Sequence, residues 1–575
     1  MLNKYYEYIA TKINEKFKEI DKDEIYNLLE EPADKKMGDI ALPCFKFAKT
    51  LRKNPKLIAD DFITIFSNDS LFDNINSING FLNFKISNIK LIDDFITIYN
   101  NKINNIGKSN EGNGKTICIE FSSPNIAKPF GIGHLRSTVI GNAISNLFEV
   151  AGYNVIRLNH LGDWGTQFGK LIYAYKTWGD ENKLKQEPIK HLYELYVKFH
   201  KEAENNPQLD DQGRLWFNKL ENGNEQAKTL WEKFRELSLK EFQKIYKRLG
   251  IKFDSFDGEA FYSKFIDECT NKIISKNITK VSEGALIVDL SQYNMPPCLI
   301  RKKDGTTLYA TRDICAAIYR KEKYNFDKNI YVVGASQSLH FQQFFKVLEL
   351  MGYEWAKDCI HIPFGMILGI STRKGTLVFL EDILNEAYIR AKKIIEDKKD
   401  ELENSDEIAD KIAISAIIFQ DLANKRIKDY EYNLERIISF DGDTGPYLLY
   451  SLVRINSIIQ KINQQFNHNI NLTTINKFDN INDKNDINNP DALELIKYII
   501  KFDFILKKAR EQYEPSILAN FLIDLAHNFN KFYHSNKVIV NKEYFSHARL
   551  FLTIITYKTL LTGIKILGLH PIKKM

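Results

Sequence analysis

The stretch from Cys118 to Leu158 constrains the fold more than any other part of the sequence. It opens with an apolar run typical of a buried strand, and after a turn its apolar residues recur at the spacing of a helix. Gly152 marks the end of that helix, and the run NVIRL follows as a second strand. Two strands joined by one helix predict a βαβ unit of a parallel sheet. Such sheets bind ligands at the carboxyl ends of their strands, which is where the turn lies.

Strand and helix patterns alternate again further along the chain. The runs ALIVDL, NIYVVGA and HIPFGMIL are predicted strands, and TLYATRDICAAIYR and HFQQFFKVLELMGY are predicted helices. We expect them to complete a doubly wound, Rossmann-like parallel sheet, which a charged helical insertion at about 170–285 divides.

A chain of 575 residues is too long for a single core, so further domains are expected. Residues 1–105 alternate helical and strand-like runs, which predicts an N-terminal α+β domain, and the polar break after them indicates its end. The doubly wound domain is assigned to 106–440, with linking helices at about 385–440. Residues 441–575 are helical in pattern and predict an all-α bundle.

Cysteine spacing and hydropathy argue against several classes of protein. The six cysteines lack the spacing of a zinc site or a disulfide framework, so we expect buried thiols in a reducing compartment. The first helix pattern carries acids as well as bases and has no apolar signal core, so a cytoplasmic location is expected. The run LFLTIITYKTLLTGIKILGL contains two lysines and predicts a core helix, not a membrane span. A net charge of +6 permits a polyanionic partner without requiring one.

The turn inside the βαβ unit has the composition of an anion site. Free N–H groups and the dipole at a helix N-terminus attract negative charge, and Gly131 and Gly133 would let a nucleotide approach that backbone. His134 adds a donor and Lys128 a positive charge. Taken alone, however, the letters GIGH favour a tight turn with a structural histidine.

The surrounding motifs decide between these interpretations. SPNIAKPF and GHLRST are followed, in order, by NHLGDWGTQFG, DGTTLYATRD, FDGDTGPYLLY and a terminal KKM. Together they resemble the arginyl-tRNA synthetases, a family of class I aminoacyl-tRNA synthetases, over about residues 37–575. The resemblance implies an arginine–tRNA ligase, which activates L-arginine with ATP to arginyl-AMP and transfers it to the 2′-hydroxyl of the terminal adenosine of tRNA(Arg).

The resemblance also implies which residues hold ATP, although two signatures depart from the family pattern. Gly131 replaces the first histidine of the HIGH signature, and Lys128 is the candidate to substitute for it. GISTRKG, from Gly369 to Gly375, stands where KMSKS is expected. The implied catalytic residues are Lys128, His134, Arg373 and Lys374, and the implied ATP-binding residues are Gly131, Gly133, His134, Met366, Ser371 and Thr372.

Recognition of arginine needs carboxylates that match a planar guanidinium, preferably beside an aromatic wall. The family pocket corresponds to Glu120, Asn125, Tyr309, Asp313 and Gln337. Tyr309 and Asp313 share a helix face if the helix begins there. Glu120, at the end of an apolar strand, requires a cationic partner, and we expect the substrate to supply it. Each residue alone is more often structural.

Residues outside the pocket complete the implied assignments. His160, Asp163, Trp164 and Gln167 follow the second strand and are either supporting or nucleotide-facing residues, or a packed tryptophan with a capping aspartate. The N-terminal domain is expected to bind tRNA and the C-terminal bundle its anticodon, where Tyr447, Tyr450 and Arg454 share one helix face on which bases could stack. The ordinary alternative is that these tyrosines form a helix face packed in the hydrophobic core and do not bind bases. The implied tRNA contacts are Asn79, Phe81, Tyr447, Tyr450, Arg454 and Met575.

Two alternatives stay open at this point: a class I synthetase for another amino acid, and an inactive tRNA-binding paralogue in which Gly131 reflects lost catalysis. The expected partners are tRNA(Arg), L-arginine and ATP with Mg²⁺. No zinc and no membrane contact are expected, and the family's usual state is a monomer.

Overall fold

The computed structural model describes residues 2–32, 34–67, 69–303, 305–369, 379–397, 403–472, 474–478 and 481–574. The strands are β1 (Ile40–Pro43), β2 (Phe72–Ile78), β3 (Phe81–Ile86), β4 (Thr116–Glu120), β5 (Asn154–Leu158), β6 (Thr279–Ser282), β7 (Ala285–Val288), β8 (Cys298–Arg301), β9 (Lys328–Gly334), β10 (Cys359–Phe364), β11 (Ile367–Leu368) and β12 (Tyr430–Glu431).

The helices of the first part of the chain are α1 (Leu2–Lys16), α2 (Lys22–Leu28), α3 (Ala48–Leu51), α4 (Pro55–Ile65), α5 (Asn88–Asn101), α6 (Ile132–Glu149), α7 (Thr166–Trp178), α8 (Glu181–Gln186), α9 (Pro188–Asn205), α10 (Gln208–Glu221), α11 (Glu225–Leu249), α12 (Glu259–Ser263) and α13 (Ile266–Ser275). Those of the second part are α14 (Tyr309–Tyr324), α15 (Ser338–Leu350), α16 (Leu380–Glu396), α17 (Ser405–Ala423), α18 (Leu434–Ile437), α19 (Gly445–Phe466), α20 (Pro490–Ile500), α21 (Phe502–Glu511), α22 (Ser516–Ser535) and α23 (His547–Ile566).

The chain divides into two compact units. One contains Met1–Gly107, Arg454–Ile505 and Asp524–Thr562, and the other contains Lys108–Val453, Leu506–Ile523 and Gly563–Met575. In the first unit β1, β3 and β2 form an antiparallel sheet, and the turn between β2 and β3 is Asn79-Gly80, with both residues at positive φ. Two left-handed residues give the turn that matches the twist of a hairpin, and Asn-Gly is the favoured pair for it.

The parallel sheet predicted from the sequence is the centre of the second unit. Its strand order is β10-β9-β4-β5, and all neighbours are parallel. The chain continues from β4 through α6 to β5 on one side and from β9 through α15 to β10 on the other. The topological switch point therefore lies between β4 and β9, and ligands bind outside the carboxyl ends of such a strand pair.

Helix α6 approaches β4 closely because of one glycine. A Cβ on Gly141 would lie 2.3 Å from the Cβ of Phe121, the residue that follows β4. Any larger side chain would therefore push the helix away from the sheet. Gly133, at the start of the same helix, would meet no described atom within 4 Å, so the packing of the chain itself does not require a glycine there.

Two details of the predicted pattern differ in the structure. ALIVDL forms a strand, β7, but it pairs antiparallel with β6 and β8 in a separate sheet and does not join the parallel one. The polar run AENNPQLDDQGR of the insertion predicts an interruption between helices, but the break is short, because α10 begins at Gln208 and continues through Gly213. A Cβ on Gly169 of α7 would lie 2.0 Å from the Gly213 carbonyl oxygen, so these two helices meet at glycines.

The expected fold class is confirmed: a parallel-sheet domain divided by a helical insertion, an N-terminal α+β region and a helical C-terminal region. The most apolar C-terminal run forms the core helix α23, with Leu550, Ile554 and Leu560 fully buried. In the part of the chain that the structure describes, no helix is both long and apolar enough to cross a membrane. All six cysteines are free and buried, as the sequence predicts.

Substitution of Gly141 tests the close approach of α6 to β4. Alanine is favoured over glycine in a helix by about 1 kcal/mol. Overpacking costs about 1–3 kcal/mol, and a contact at 2.3 Å with Phe121 lies at the severe end of that range. Gly141→Ala should therefore lower the melting temperature in a thermal shift assay, whereas Gly133→Ala should not. Equal melting temperatures for the two variants would contradict the packing argument.

Candidate active site

A buried ion pair lies at the carboxyl end of β4. Glu120, the last residue of the strand, is 6% exposed, and its Oε2 lies 2.6 Å from Nη2 of Arg320 on α14. The sequence led us to expect that the substrate would supply the cation on Glu120, and the structure differs, because the chain supplies one itself. A carboxylate buried without a counter-ion would be strongly destabilising. The second carboxylate oxygen of Glu120, Oε1, can still accept hydrogen bonds from another guanidinium.

Arg320 is enclosed by aromatic rings as well as by the carboxylate. Its guanidinium carbon lies 5.8 Å and 5.6 Å from the ring centres of Tyr262 and Tyr331, and its Nη2 lies 3.3 Å from Nδ1 of His160. The ring of His160 stacks on that of Tyr262. Arg320 is 1% exposed, so these contacts fix its position.

The second predicted carboxylate, Asp313, is also paired. Its Oδ2 lies 2.6 Å from Nε2 of His340 on α15. Burial acts to raise the pKa of Asp313, but His340, His160 and Arg320 outweigh it and hold the pKa below the usual value, so the carboxylate is charged. Helix α14 begins at Tyr309, and therefore Tyr309 and Asp313 lie one turn apart on one face, as expected. Tyr309 is 65% exposed.

Glu120 and Asp313 belong to one electrostatic cluster although they lie on different elements. Tyr331 on β9 is buried, and besides burial and Cys359, the charges of both carboxylates raise its pKa. Arg320, which pairs with Glu120, also lowers the pKa of Asp313. Contacts join the two pairs as well: the ring centre of Tyr331 lies 5.6 Å from the guanidinium carbon of Arg320 and 5.6 Å from the ring centre of Phe344, which lies 5.4 Å from that of His340. Glu120 and Asp313 are therefore linked through Tyr331 of β9, the strand next to β4.

The other two predicted arginine-binding residues lie at the same edge of the sheet. Asn125 is half-buried and its backbone bridges to Gly162, where a Cβ would lie 2.1 Å from Oδ1 of Asn125. Gly162 therefore has to be a glycine for Asn125 to keep its position. Gln337 is exposed and ends the 3₁₀ turn, Ala335–Gln337, that follows β9.

His134 caps the helix whose N-terminus forms the predicted anion site. Its Nδ1 accepts a hydrogen bond from the Gly131 N–H at 3.2 Å, so the proton of the neutral ring is on Nε2. Burial lowers the pKa of His134, which keeps the ring neutral. His134 therefore presents one N–H donor in a fixed orientation. Gly131 also forms a backbone bridge with Phe379.

Lys128 precedes the turn at Gly131 by three residues and lies beside helix α9. Its Nζ lies 5.2 Å from the ring centre of Tyr196 on α9, and its charge contributes to the lowered pKa of His134.

The remaining predicted ATP-binding residues lie further along the chain. Met366 lies between β10 and β11 and is 66% exposed. Ser371, Thr372, Arg373 and Lys374 lie outside the described residues, and so does Met575.

The motif after β5 is largely structural. Asp163 is 1% exposed; its Oδ2 accepts from Arg235 at 2.9 Å and its Oδ1 accepts from the Ala260 N–H. Trp164 packs against Phe217 and Trp231. These contacts favour the packed-tryptophan interpretation for both residues, whereas His160 contacts Arg320 in the acidic cluster.

The predicted tRNA contacts occupy separate places in the fold. Asn79 is in the β2–β3 turn, and Phe81 begins β3 with its ring 5.3 Å from that of Phe45, which is 46% exposed. Tyr447, Tyr450 and Arg454 all lie on α19, where Tyr450 is 41% exposed. Arg454 is engaged: it donates to Oδ1 of Asn530 at 2.8 Å and lies over the ring of Tyr533.

Comparison with known proteins identifies the family. The catalytic domain of class I tRNA synthetases of the arginine type matches residues 97–434, the arginyl-tRNA synthetase N-terminal domain matches 5–86, and the DALR anticodon-binding domain matches 448–575. The arginine–tRNA ligase of Halothermothrix orenii is 47% identical over 567 residues, or 98% of each chain. That of Clostridioides difficile is 46% identical over 99% of each chain. The chain belongs to the arginyl-tRNA synthetase family.

Solved structures of arginyl-tRNA synthetases have the same fold. The enzyme from Plasmodium falciparum superposes with a TM-score of 0.80 at 28% identity and covers 100% of this chain and 99% of its own. The Thermus thermophilus structure gives 0.81 at 22% identity over the whole of both chains. The resemblance to the arginyl-tRNA synthetases that the sequence motifs indicated is thus confirmed.

The sequence motifs did not identify every charged residue at this arginyl-tRNA synthetase site. Arg320 and His340, which contact the two acids, carry no motif, although Arg320 lies seven residues after Asp313 and so on the same helix face. Glu259 was also missed; it is buried beside Arg312, with its Oε2 3.2 Å from Nη1. Among the described residues, no three His, Cys, Asp or Glu side chains could together hold a metal ion.

The pH dependence of stability tests the environment of Glu259. Burial raises the pKa of Glu259 to about 7, despite Arg312. Because the pKa of Glu259 is higher in the folded than in the unfolded chain, the protonated carboxyl group favours the folded chain. This contribution to the free energy of unfolding is complete below the usual pKa near 4.5 and is lost as the pH rises through 7. Glu259→Gln avoids the loss, so its melting temperature should rise relative to wild type between pH 5 and pH 8. Glu268→Gln, at a 67% exposed position, is the control and should show no such trend.

Proposed function

We infer that this chain is an active arginine–tRNA ligase that uses ATP to attach L-arginine to tRNA(Arg). One observation carries the inference: in a chain that matches arginine–tRNA ligases over nearly its full length, Glu120 and Asp313 are linked by one network of contacts through Tyr331, beside the switch point of the parallel sheet. Such a cluster suits a flat cation next to an ATP site.

In the first step the carboxylate of arginine attacks the α-phosphorus of ATP, and pyrophosphate leaves. The guanidinium of the substrate binds Glu120 and Asp313, while Asn125, Tyr309 and Gln337 bind the rest of the amino acid. Support comes from their common place at the carboxyl edge of the sheet. Catalysis is mainly by position, since the reacting groups need no general base.

The phosphates are stabilised by positive charge and by oriented donors. His134 donates from Nε2, and Lys128 supplies the charge that replaces the first signature histidine. The open space at Gly133 leaves room for a phosphate against the N-terminus of α6. Met366, Ser371, Thr372, Arg373 and Lys374 complete the ATP contacts in the proposal. Mg²⁺ enters as part of the substrate Mg-ATP.

In the second step the 2′-hydroxyl of the terminal adenosine attacks the arginyl carbonyl carbon, and AMP leaves. Residues 1–105 bind the tRNA through Asn79 and Phe81, 106–440 catalyse both steps, and 441–575 bind the anticodon through Tyr447, Tyr450, Arg454 and Met575. The matches to three family domains in this order support the division. The free, buried cysteines agree with a cytoplasmic location, and the chain acts as a monomer, the usual state of the family.

The two alternatives are less well supported. The matches to arginine–tRNA ligases over nearly the whole chain argue against a synthetase for another amino acid. An inactive paralogue has no reason to keep His134 fixed as a donor. A charging assay with cognate tRNA and each radiolabelled amino acid separates them: arginine alone should be attached, and no charging at all would favour the inactive paralogue.

Kinetics of an Asp313 variant test the arginine pocket. Asp313→Asn keeps the shape and removes the charge, so the KM for arginine should rise about tenfold or more while tRNA affinity is retained. Lys128→Ala should give the opposite pattern, with a lower kcat for adenylate formation and an unchanged arginine KM. Both are measured by ATP–pyrophosphate exchange with and without tRNA. Unchanged arginine kinetics in Asp313→Asn would refute the assignment.

A further inference from the structure

A second buried ion pair lies behind the ATP site. Arg136, on α6 two residues after His134, is 1% exposed, and Asp421, on α17, is equally buried. Nε of Arg136 lies 3.3 Å from Oδ2 of Asp421, and Nη1 donates to the Lys428 carbonyl oxygen at 2.9 Å. The guanidinium therefore connects α6 with the segment that leads into β12.

Tyr430 completes this network. Its hydroxyl donates to Oδ2 of Asp421 at 3.0 Å, and the guanidinium carbon of Arg136 lies 5.1 Å from its ring centre. Arg136, Asp421 and Tyr430 thus contact one another in pairs, on three different elements. Replacing a buried ion pair with apolar residues is often neutral or stabilising. Stability alone therefore does not explain why this pair is buried here.

The other side of segment 428–430 holds Met366. The Met366 N–H donates to Oδ1 of Asp429 at 2.6 Å, and the Tyr430 N–H donates to the Met366 carbonyl oxygen at 3.2 Å. A Cβ on Gly365 would lie 2.5 Å from the same Asp429 oxygen, so this approach is close. Segment 428–430 is therefore bonded to Arg136 on one side and to Met366 on the other.

Arg136 and His134 project from different sides of α6, because residues two apart do not share a helix face. The first turns of α6 thus carry both the donor for the phosphates and the anchor of segment 428–430. We propose that Arg136 is a positioning residue for ATP, which acts through segment 428–430 to fix Met366 at one end of the nucleotide relative to His134 at the phosphates. The proposal rests on the ATP contacts assigned to Met366 and His134 under the proposed function.

Arg136→Lys is the main test, because lysine keeps the charge but cannot reach Asp421 and the Lys428 carbonyl oxygen together. Arg248→Lys is the matched control. Arg248 also pairs with an aspartate of α17, Asp410 at 2.7 Å, and donates to a backbone carbonyl oxygen, but it does not contact segment 428–430. Kinetics of ATP–pyrophosphate exchange with tRNA present, and melting temperatures, are measured for both.

In Arg136→Lys the KM for ATP should rise about tenfold, the effect of losing one hydrogen bond to a charged group, with arginine KM changed less than twofold. Arg248→Lys should leave both constants unchanged. An unchanged ATP KM, or a parallel rise in the KM of both substrates, would overturn the proposal. If Arg136→Lys does not fold, Tyr430→Phe, which removes a single hydroxyl, should raise the KM for ATP in the same selective way, and its failure to do so would also overturn the proposal.

The pH profile gives a readout that packing alone would not change. Burial raises the pKa of Asp421 to about 6, against the effects of Arg136 on α6 and Tyr430, the groups that face it. In Asp421→Asn the ATP KM should exceed that of wild type at pH 7.5, and the difference should close as the pH falls below 6. A difference independent of pH would contradict the proposed network.

His134→Gln distinguishes a failure of the ATP-site assignment from a failure of the role proposed for Arg136. If His134→Gln leaves the ATP kinetics intact, the ATP assignment itself fails and not only the role of Arg136.

Discussion

Charge buried at the carboxyl edge of the parallel sheet has to be neutralised, and this requirement organises the site. A carboxylate at the end of β4 is needed for a cationic substrate, but Glu120 is 6% exposed and would be costly there on its own. Arg320 neutralises it, and Nε2 of His340 contacts Oδ2 of Asp313 at 2.6 Å. The pKa of Asp313 lies below its usual value, so this carboxylate stays ionised in the folded chain. Substrate recognition then adds to an existing network and does not create one.

The same requirement recurs around α6. Arg136 is buried with Asp421, and Arg136 joins the helix that carries His134 to segment 428–430, which is hydrogen-bonded to Met366. A glycine at 141 brings this helix against β4. Helix α6 is therefore held by close packing on one side and by paired charges on the other. These contacts also fix the position of its N-terminus.

The sequence predicted the parts of the site that follow from local chemistry. The βαβ pattern places the glycine-rich turn with His134 at the ligand-binding edge, and the resemblance to the arginyl-tRNA synthetases implied Glu120 and Asp313 as candidates for a guanidinium. Arg320 and His340 could not be named in advance, because the choice of a partner across elements depends on packing that no local pattern encodes. For the same reason β7 was recognised as a strand but not as a member of an antiparallel sheet.

The cap formed by His134 has a consequence for proton balance. Its Nδ1 already accepts the Gly131 N–H, so a second proton on the ring would face a donor and break the cap. The imidazole is thus locked in one tautomer before the nucleotide arrives, and the negative phosphates cannot easily convert it to imidazolium. In the ATP complex that we propose, His134 would therefore enter as a neutral donor, so its ring would take up no hydrogen ion from the medium and would add no buffer-dependent heat to binding.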